Sequence, residues 1–317
     1  MSTTVICVMD DLASIKPEKD TTFALLLEAR RRGLEVWYAN ERDLELNQGN
    51  CVARIRRVEL NDRSRDWFSV EETRQRALGR SDLILMRCDP PVDDTYVYTT
   101  LLLDRAVADG ARVINRPQAL RDFNEKLAIA RFADLIPETR VSANPATLRQ
   151  FVIDQGRAVL KPLDGMGGRG IFLARDDDPN LNVILETLTA DGRKPAMAQE
   201  FLPGISKGDK RILMIAGQAV PYVLARIPSQ ADFRGNLARG GRGEGQPIND
   251  AERHIAERVG PELLKNGVDF AGLDVIDGRL TEINVTSPTC VRELDRQFNL
   301  NIAGMLFDAL LAPTAER

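Results

Sequence analysis

The sequence predicts an α/β protein of two domains: a partly parallel sheet covered by helices, then a longer region of short strands, hairpins and glycine-rich loops. Three observations carry this. Strand-length apolar runs alternate with helical stretches from Thr4 to Asn115, the pattern of β-α-β units. From Arg116 the runs shorten and glycines cluster, which places a domain break near residue 123. At 317 residues the chain has roughly the length of two ordinary domains and can bury an ample core.

The elements follow in order. Thr4–Met9 is a strand, and Asp20–Arg32 a helix capped by Asp20 or Thr21 and stopped by Gly33. Glu35–Ala39 is a strand, and Leu44–Leu60 a hairpin around Gln48-Gly49-Asn50. Ser81–Arg87 is a strand, Tyr96–Ala108 a helix ending near Gly110, and Arg112–Asn115 a short strand. In such sheets ligands gather at the carboxyl ends of strands, where Asp10-Asp11, Arg87 and Asn115 fall. Next come helical pieces over Pro117–Asp122 and Asn124–Ala133 and a strand over Glu138–Val141. Asn144-Pro145 opens a helix to Gln155 as cap and first position. Arg157–Lys161, Ile171–Ala174 and Ala196–Phe201 read as strands and Asn180–Thr189 as a helix, before a hairpin of Arg211–Ile215 with Gln218–Leu224.

A formal net charge of −4 argues against general nucleic-acid binding. No apolar run approaches the roughly 18 residues of a membrane span, and the N-terminus enters a strand without a signal-peptide pattern. Four scattered cysteines, Cys7, Cys51, Cys88 and Cys290, fit a reduced cytosolic chain. The single histidine, His254, falls on a charge-rich helix. Histidine triads and histidine-rich zinc sites therefore lack material, and catalysis is left to Lys, Arg, Asp, Glu, backbone amides and metal.

Gly272–Thr286 reads as two strands around the turn dipeptide Asp277-Gly278. Asp274, Glu282 and Asn284 interrupt its apolar run with oxygen-bearing side chains, the ligands that hard divalent cations take together with substrate phosphates. A two-residue loop pairs Asp274 with Thr281 and sends Asp274 and Glu282 to opposite faces; a three-residue loop pairs Asp274 with Glu282. The metal reading needs the second register; otherwise these residues simply face water.

The loop Asp164–Gly170 matches G-x-G-x-x-G at Gly165, Gly167 and Gly170. A dinucleotide fingerprint needs a helix next, and Ile171–Ala174 is strand-like. What remains is strand, glycine turn, strand, with Lys161 ending the first, an arrangement that can close over phosphates. Phe233–Gly245 is rich in glycine and arginine and reads as a lid over anions or as a surface linker. Ser287 and Pro288 read as the cap and first position of a helix to about Gln297, whose free amides can receive a carboxylate.

In this order, these residues resemble the bacterial-type glutathione synthetases of the ATP-grasp superfamily. The runs that carry the likeness include Met86-Arg-Cys-Asp-Pro-Pro91, Asn115–Asp122, Asn124-Glu-Lys126, Leu160–Gly168, Leu224–Pro228, Arg234–Ala238 and Leu280–Cys290. The resemblance spans nearly the whole chain. Cys88 departs from it, because lysine commonly follows the arginine there.

The resemblance implies an N-terminal Rossmann-like (pre-ATP-grasp) substrate domain, 1–123, and an ATP-grasp domain, 124–317. The latter would have a smaller lobe at about 124–200 and a larger one at about 201–317, with a lid at 233–245. It implies an ATP-dependent ligase that joins γ-glutamylcysteine to glycine through an acyl phosphate, giving glutathione, ADP and phosphate. Lys126, Lys161, Gly165, Gly167, Gly168, Gly170, Gln199, Glu200 and Leu202 would bind ATP, and Arg211 and Arg226 would face the transferring phosphoryl group. Arg87, Arg234, Asn236, Gly241, Arg242, Thr286, Ser287, Thr289 and Arg292 would bind substrate. Asp274, Glu282 and Asn284 would carry Mg²⁺ or Mn²⁺. The expected setting is a cytoplasmic homo-oligomer, a tetramer on the family pattern, with no nucleic-acid or membrane partner. A non-catalytic nucleotide-binding regulator of the same fold is the rival class, against which the intact acidic set speaks.

Overall fold

A computed structural model describes residues 3–63, 65–229, 235 and 240–312. The N-terminal sheet contains β1 (Thr4–Val8), β2 (Glu35–Ala39), β3 (Leu44–Asn47), β4 (Asn50–Leu60), β5 (Phe68–Ala77), β6 (Asp82–Met86) and β7 (Arg112–Ile114). Its order is β3-β4-β2-β1-β6-β7, with β5 on β4. β1 runs parallel to both β2 and β6 and has neighbours on either side, so chain order reverses at β1 and opens a crevice at the carboxyl ends. Helix α1 (Thr21–Arg31) crosses from β1 to β2, and its Asp20 cap accepts from the Phe23 amide at 2.6 Å. Helix α2 (Asp94–Ala108) joins β6 to β7 and starts at Asp93, which caps the Tyr96 amide at 2.9 Å.

The strand β5 is absent from the sequence reading. Its Arg- and Glu-rich run is exposed at nearly every position, so no apolar alternation marks it. It exists as the outer arm of a hairpin with β4. The helical piece expected over Asn124–Ala133 is shorter: after α3 (Pro117–Asp122) only Ala128–Phe132 forms a 3₁₀ turn.

The second sheet, β10-β9-β11-β8, is antiparallel. It comprises β8 (Thr139–Ser142), β9 (Arg157–Pro162), β10 (Phe172–Arg175) and β11 (Ala196–Glu200), with α4 (Pro145–Gln155) and α5 (Leu181–Thr189) packed on it. Leu148, Val152, Leu160, Leu181 and Leu185 form its own small core.

The third sheet, β14-β13-β12-β15-β16, holds β12 (Asp209–Ile215), β13 (Gln218–Ile227), β14 (Arg242–Pro247), β15 (Phe270–Ile276) and β16 (Arg279–Asn284). Helix α6 (Asp250–Lys265) carries the exposed His254. The strand β14 corrects the loop reading of 233–245 at its C-terminal end: residues 242–245 pair with β13, because an open sheet edge supplies backbone partners that glycine-rich sequence does not advertise. The rest of that segment, apart from Gly235, Gly240 and Gly241, lies outside the described residues.

The hairpin β15–β16 takes neither loop as foreseen. Its turn is the two-residue form, with Ile276 opposite Arg279, yet Asp274 still faces Glu282. A β-bulge at Thr281 adds the residue that restores this pairing.

The helix expected from Ser287-Pro288 begins later, as α7 (Val291–Phe298), with Cys290 at its N-cap in the left-handed region (φ +89°). The intervening segment is spent on bridging to the N-terminal domain. The Pro288 carbonyl accepts from Arg87 Nη2 at 3.0 Å, and the Val291 amide donates to Thr21 Oγ1 at 3.3 Å. The chain then returns as α8 (Ile302–Leu311), whose Leu306 and Phe307 join the core around Phe23 and Leu25.

Asn115 is fully engaged in tying the sheets together. Its amide nitrogen donates to the carbonyls of Phe270 and Val285, both at 2.7 Å, and its oxygen accepts from the amides of Asp269 and Phe270, both at 2.9 Å. With every polar group of the side chain occupied, Asn115 is a structural clamp rather than a ligand.

Candidate active site

All three sheets border one cavity of about 920 Å³. Its walls come from the carboxyl ends of β1 and β6, the β9–β10 loop, the end of β11, and the inner faces of β12, β13, β15 and β16.

At its centre Asp274 is clasped by two guanidinium groups. Arg211 Nε and Nη2 donate to its two oxygens at 2.5 and 3.1 Å, and Arg226 Nη2 lies 2.9 Å away. Burial alone would raise the carboxyl pKa, but Arg211 and Arg226 outweigh it and hold Asp274 ionised well below the usual range. The geometry follows from register: Arg211 on β12 is paired with Asp274 on β15. Arg226 on β13 is paired with Asp209, to which Nη2 also donates at 2.5 Å.

Asp209 escaped the sequence reading, since nothing in Gly208-Asp209-Lys210 marks it locally. Its Oδ1 is buried without a partner. Burial pushes its pKa up, opposed by Arg226 and reinforced by Asp274.

Lys126 forms an ion pair with Glu282 at 2.7 Å and donates to the Gly165 carbonyl at 2.6 Å. Burial works against its charge, yet Glu282 keeps its pKa raised. Lys161 is treated differently: it donates to Gln199 Oε1 at 2.9 Å and to the Thr281 carbonyl at 3.5 Å, both neutral, and burial lowers its pKa. The neighbouring Glu125, also unread from sequence, accepts from the Val285 amide, the Thr286 amide and Thr286 Oγ1 at 3.1, 3.2 and 2.8 Å. The segment Glu125-Lys126 thereby fixes the end of β16.

Gly165, Gly167 and Gly168 line the cavity as the expected strand–turn–strand, with Leu160 opposite Phe172. Gly165 must be glycine, because a Cβ there would meet Pro162 Cγ at 2.7 Å. Gly170 lies in the loop but off the cavity wall.

Glu282 and Asn284, two apart on β16, and Asp274 opposite Glu282 form the oxygen-bearing set. Asn284 Nδ2 donates to the Gly272 carbonyl at 3.1 Å, leaving its oxygen on the other side of the amide. Among the described residues no three His, Cys, Asp or Glu side chains gather to hold a metal by themselves. Two carboxylates and an amide oxygen in a cavity that also presents lysines fit a cation that shares its coordination with phosphates.

Arg87, Gln199, Glu200, Leu202, Thr286, Ser287 and Thr289 also line the cavity. Three expected substrate residues are not brought there. Arg292 turns to Asp62, 2.7 Å away, and lies over the Phe23 ring. Gly241 and Arg242 lie off the cavity wall, Arg242 paired with Glu244 at 3.0 Å. Arg234 and Asn236 lie outside the described residues.

Family models describe residues 3–121 as the N-terminal domain and 125–299 as the ATP-grasp domain of prokaryotic glutathione synthetase. The glutathione synthetase of Xanthomonas axonopodis pv. citri is 54% identical over 316 residues, covering 100% of both chains. That of Salmonella typhimurium is 50% identical over 98% of both. Two solved structures share the fold. One is the ATP-grasp ligase PsnB complexed with minimal precursor (TM-score 0.64, 22% identity, 98% of this chain and 99% of that one). The other is D-cycloserine synthetase DcsG (TM-score 0.65, 14% identity, 96% and 98%). With both of its domains matched and such identity over full length, this chain belongs to the prokaryotic glutathione synthetase family.

Proposed function

We propose that the cavity performs the family's reaction with Lys126, Lys161, Arg211 and Arg226 as its fixed positive charges. The reaction is ATP-dependent joining of γ-glutamylcysteine to glycine through an acyl phosphate, giving glutathione, ADP and phosphate. A carboxylate is a poor electrophile, and phosphorylation converts it to one with a good leaving group. Such transfer rests on positioning and charge neutralisation, for which this site needs no histidine.

The observation that carries the reading is the Asp274 clasp. It holds two guanidinium groups side by side, already desolvated and oriented, so little reorganisation remains when charge develops on the transferring phosphoryl group. Lys126 and Lys161 bind the nucleotide phosphates under the 165–170 loop, and the segment Gln199–Leu202 borders adenine. Glu282 and Asn284, with Asp274 behind them, would hold Mg²⁺ or Mn²⁺. Such an ion supplies neutralisation of phosphate charge when bound. Arg87 and the Thr286–Thr289 segment face the dipeptide. A cytoplasmic homo-oligomer is the proposed setting; among the described residues no helix is long and apolar enough to cross a membrane.

The test labels the cysteinyl carboxylate with ¹⁸O. Carboxyl activation requires one labelled oxygen to leave in inorganic phosphate as glycine completes the tripeptide. Unlabelled phosphate defeats the acyl phosphate route, and nucleotide binding without any ADP release favours a regulator.

A further inference from the structure

A sheet edge offers unpaired backbone N–H and C=O groups, and proteins keep such edges short, covered or blocked. Among the described residues every edge but one follows this. Strands β3, β7, β8 and β10 have three or four residues each. Strand β14 is hooked by Gln297, whose side-chain oxygen accepts from the Gly245 amide at 2.6 Å. Strand β16 is met by Glu125, whose backbone carbonyl accepts from the Ile283 amide at 2.9 Å. Strand β5 is the exception. It is ten residues long, bonded to β4 alone and exposed at nearly every position. Nor does it carry the proline, glycine or lysine that would discourage a further strand.

The charges of β5 come in two blocks: Glu71 and Glu72 lie before Thr73, Arg74 and Arg76 after it. In a parallel, in-register pairing with a second copy, acid would face acid and arginine would face arginine, which is destabilising. A two-fold antiparallel pairing reverses this. Its dyad passes through a residue that faces its own copy. With Thr73 at that point, Glu72 meets Arg74 of the partner subunit, and Arg74 meets the partner subunit's Glu72. A dyad on Glu72 or on Arg74 would instead set like charges face to face.

Both side chains are available for this. Arg57, opposite Glu72 in the β4–β5 ladder, pairs with Glu71 at 3.5 Å instead. Arg74 lies over the Trp37 ring, 4.0 Å from its centroid, and reaches Glu35 only at 4.0 Å. Two apart on one strand, Glu72 and Arg74 share a face. The extra residue of the β5 bulge, Glu71, falls outside the three central pairs.

We propose that β5 is the contact through which two copies of this chain associate, pairing antiparallel about Thr73 with Glu72 and Arg74 matched twice across the dyad. The pairing joins two N-terminal sheets into one. It names a surface for the homo-oligomer proposed above and rests on that reading. No residue of β5 lines the cavity, so the contact leaves the reacting groups untouched.

The test measures the association Kd of the full chain by sedimentation velocity over a dilution series. Glu72→Arg sets arginine against Arg74 of the partner subunit at both contacts, and Arg74→Glu sets acid against the partner subunit's Glu72. Each alone should raise Kd on the order of tenfold to a hundredfold, with glutathione formation unchanged. Mixed one to one, the two variants carry complementary strands and should associate with the wild-type Kd. So should a chain that carries both substitutions. Recovery on mixing is beyond a strand that merely misfolds. A wild type that stays monomeric defeats the homo-oligomer and this surface together. An oligomer whose Kd neither substitution moves, or whose variants fail to recover on mixing, keeps the homo-oligomer and defeats β5 as its contact.

Discussion

Asp274 stands directly across from Glu282 only because β16 carries one extra residue, Thr281. The bulge has two further effects. Thr281 Oγ1 donates to the Asp274 carbonyl at 3.1 Å, pinning the distortion, and the Thr281 carbonyl is offered to Lys161 at 3.5 Å. One inserted residue thus brings the two carboxylates onto one face and links them to Lys161, and bulges are common next to active sites.

Glu282→Gln should therefore impair turnover without unfolding the hairpin. The substitution keeps the shape of the side chain but removes the charge that pairs with Lys126 and that the proposed cation would use. A loss of kcat on the order of a hundredfold is expected, steepest at limiting Mg²⁺, in a protein that stays folded with a lowered Tm, because buried Lys126 loses its ion pair but keeps its bond to the Gly165 carbonyl. Full activity at limiting Mg²⁺ would sink the metal assignment.

The Asp274 clasp yields a stability prediction. Arg211→Met leaves a buried carboxylate with Arg226 alone, and breaking a buried ion pair from one side costs about 3 kcal/mol. Urea unfolding should show that loss. Adding Asp274→Asn to the same chain should recover part of it, since the orphaned charge is then gone. A single variant that unfolds like wild type would mean that Arg226 alone suffices.

A pH effect follows from the joint between α1 and α8. Glu28 accepts from Arg31 at 2.7 Å, from Arg32 at 2.6 Å and from Asn301 at 3.3 Å, and Arg32 also reaches Asp308 at 2.7 Å. The Arg31 hydrogen bond leads in lowering the Glu28 pKa to about 2, with Arg32 and Asn301 assisting against burial. A carboxyl with a depressed folded pKa contributes stability above its unfolded value and loses it as pH falls. The contribution should be whole above about pH 5 and fade toward pH 2. Solvent around Arg31 limits it to about 1–2 kcal/mol. Glu28→Gln should lower the Tm at pH 7 and make it less dependent on pH between 5 and 2; parallel wild-type and variant profiles would refute this.

What the sequence disclosed and what it hid divide along locality. The strand–glycine loop–strand around Lys161 and the helix cap at Asn144 are decided by neighbours in the chain, and they are legible there. The bulge at Thr281 is not, because it depends on how β16 satisfies β15. Asp209 and Glu125 acquire their roles from partners 17 residues away at Arg226 and 161 away at Thr286, which no local pattern encodes. Ser287-Pro288 failed as a helix start for the same reason: contacts with Arg87 and Thr21 across the domain junction outweighed a good capping pair. Strand β5 lay hidden because a solvent-facing ribbon needs no apolar face.

Lys161 poses the last question, a trade of stability for binding. Its ammonium is buried, 6% exposed, and rests on the neutral oxygens of Gln199 and Thr281. Burial lowers its pKa, so the charge is a burden on the ligand-free protein. Replacing it with methionine removes that burden, at the cost of the hydrogen bond to Gln199 and the longer one to the Thr281 carbonyl, together worth about 1–2 kcal/mol. The ligand-free Lys161→Met protein should accordingly be no less stable than wild type. Its response to nucleotide should differ sharply. At a concentration of ATP one hundred times Kd, binding stabilises the native state by about 2.7 kcal/mol; a hundredfold weaker site at the same concentration gives only about 0.4 kcal/mol. Thermal melts with and without MgATP read both quantities at once. A variant that loses stability when free yet keeps its full ATP-induced shift would show Lys161 to be a core residue and not a phosphate ligand.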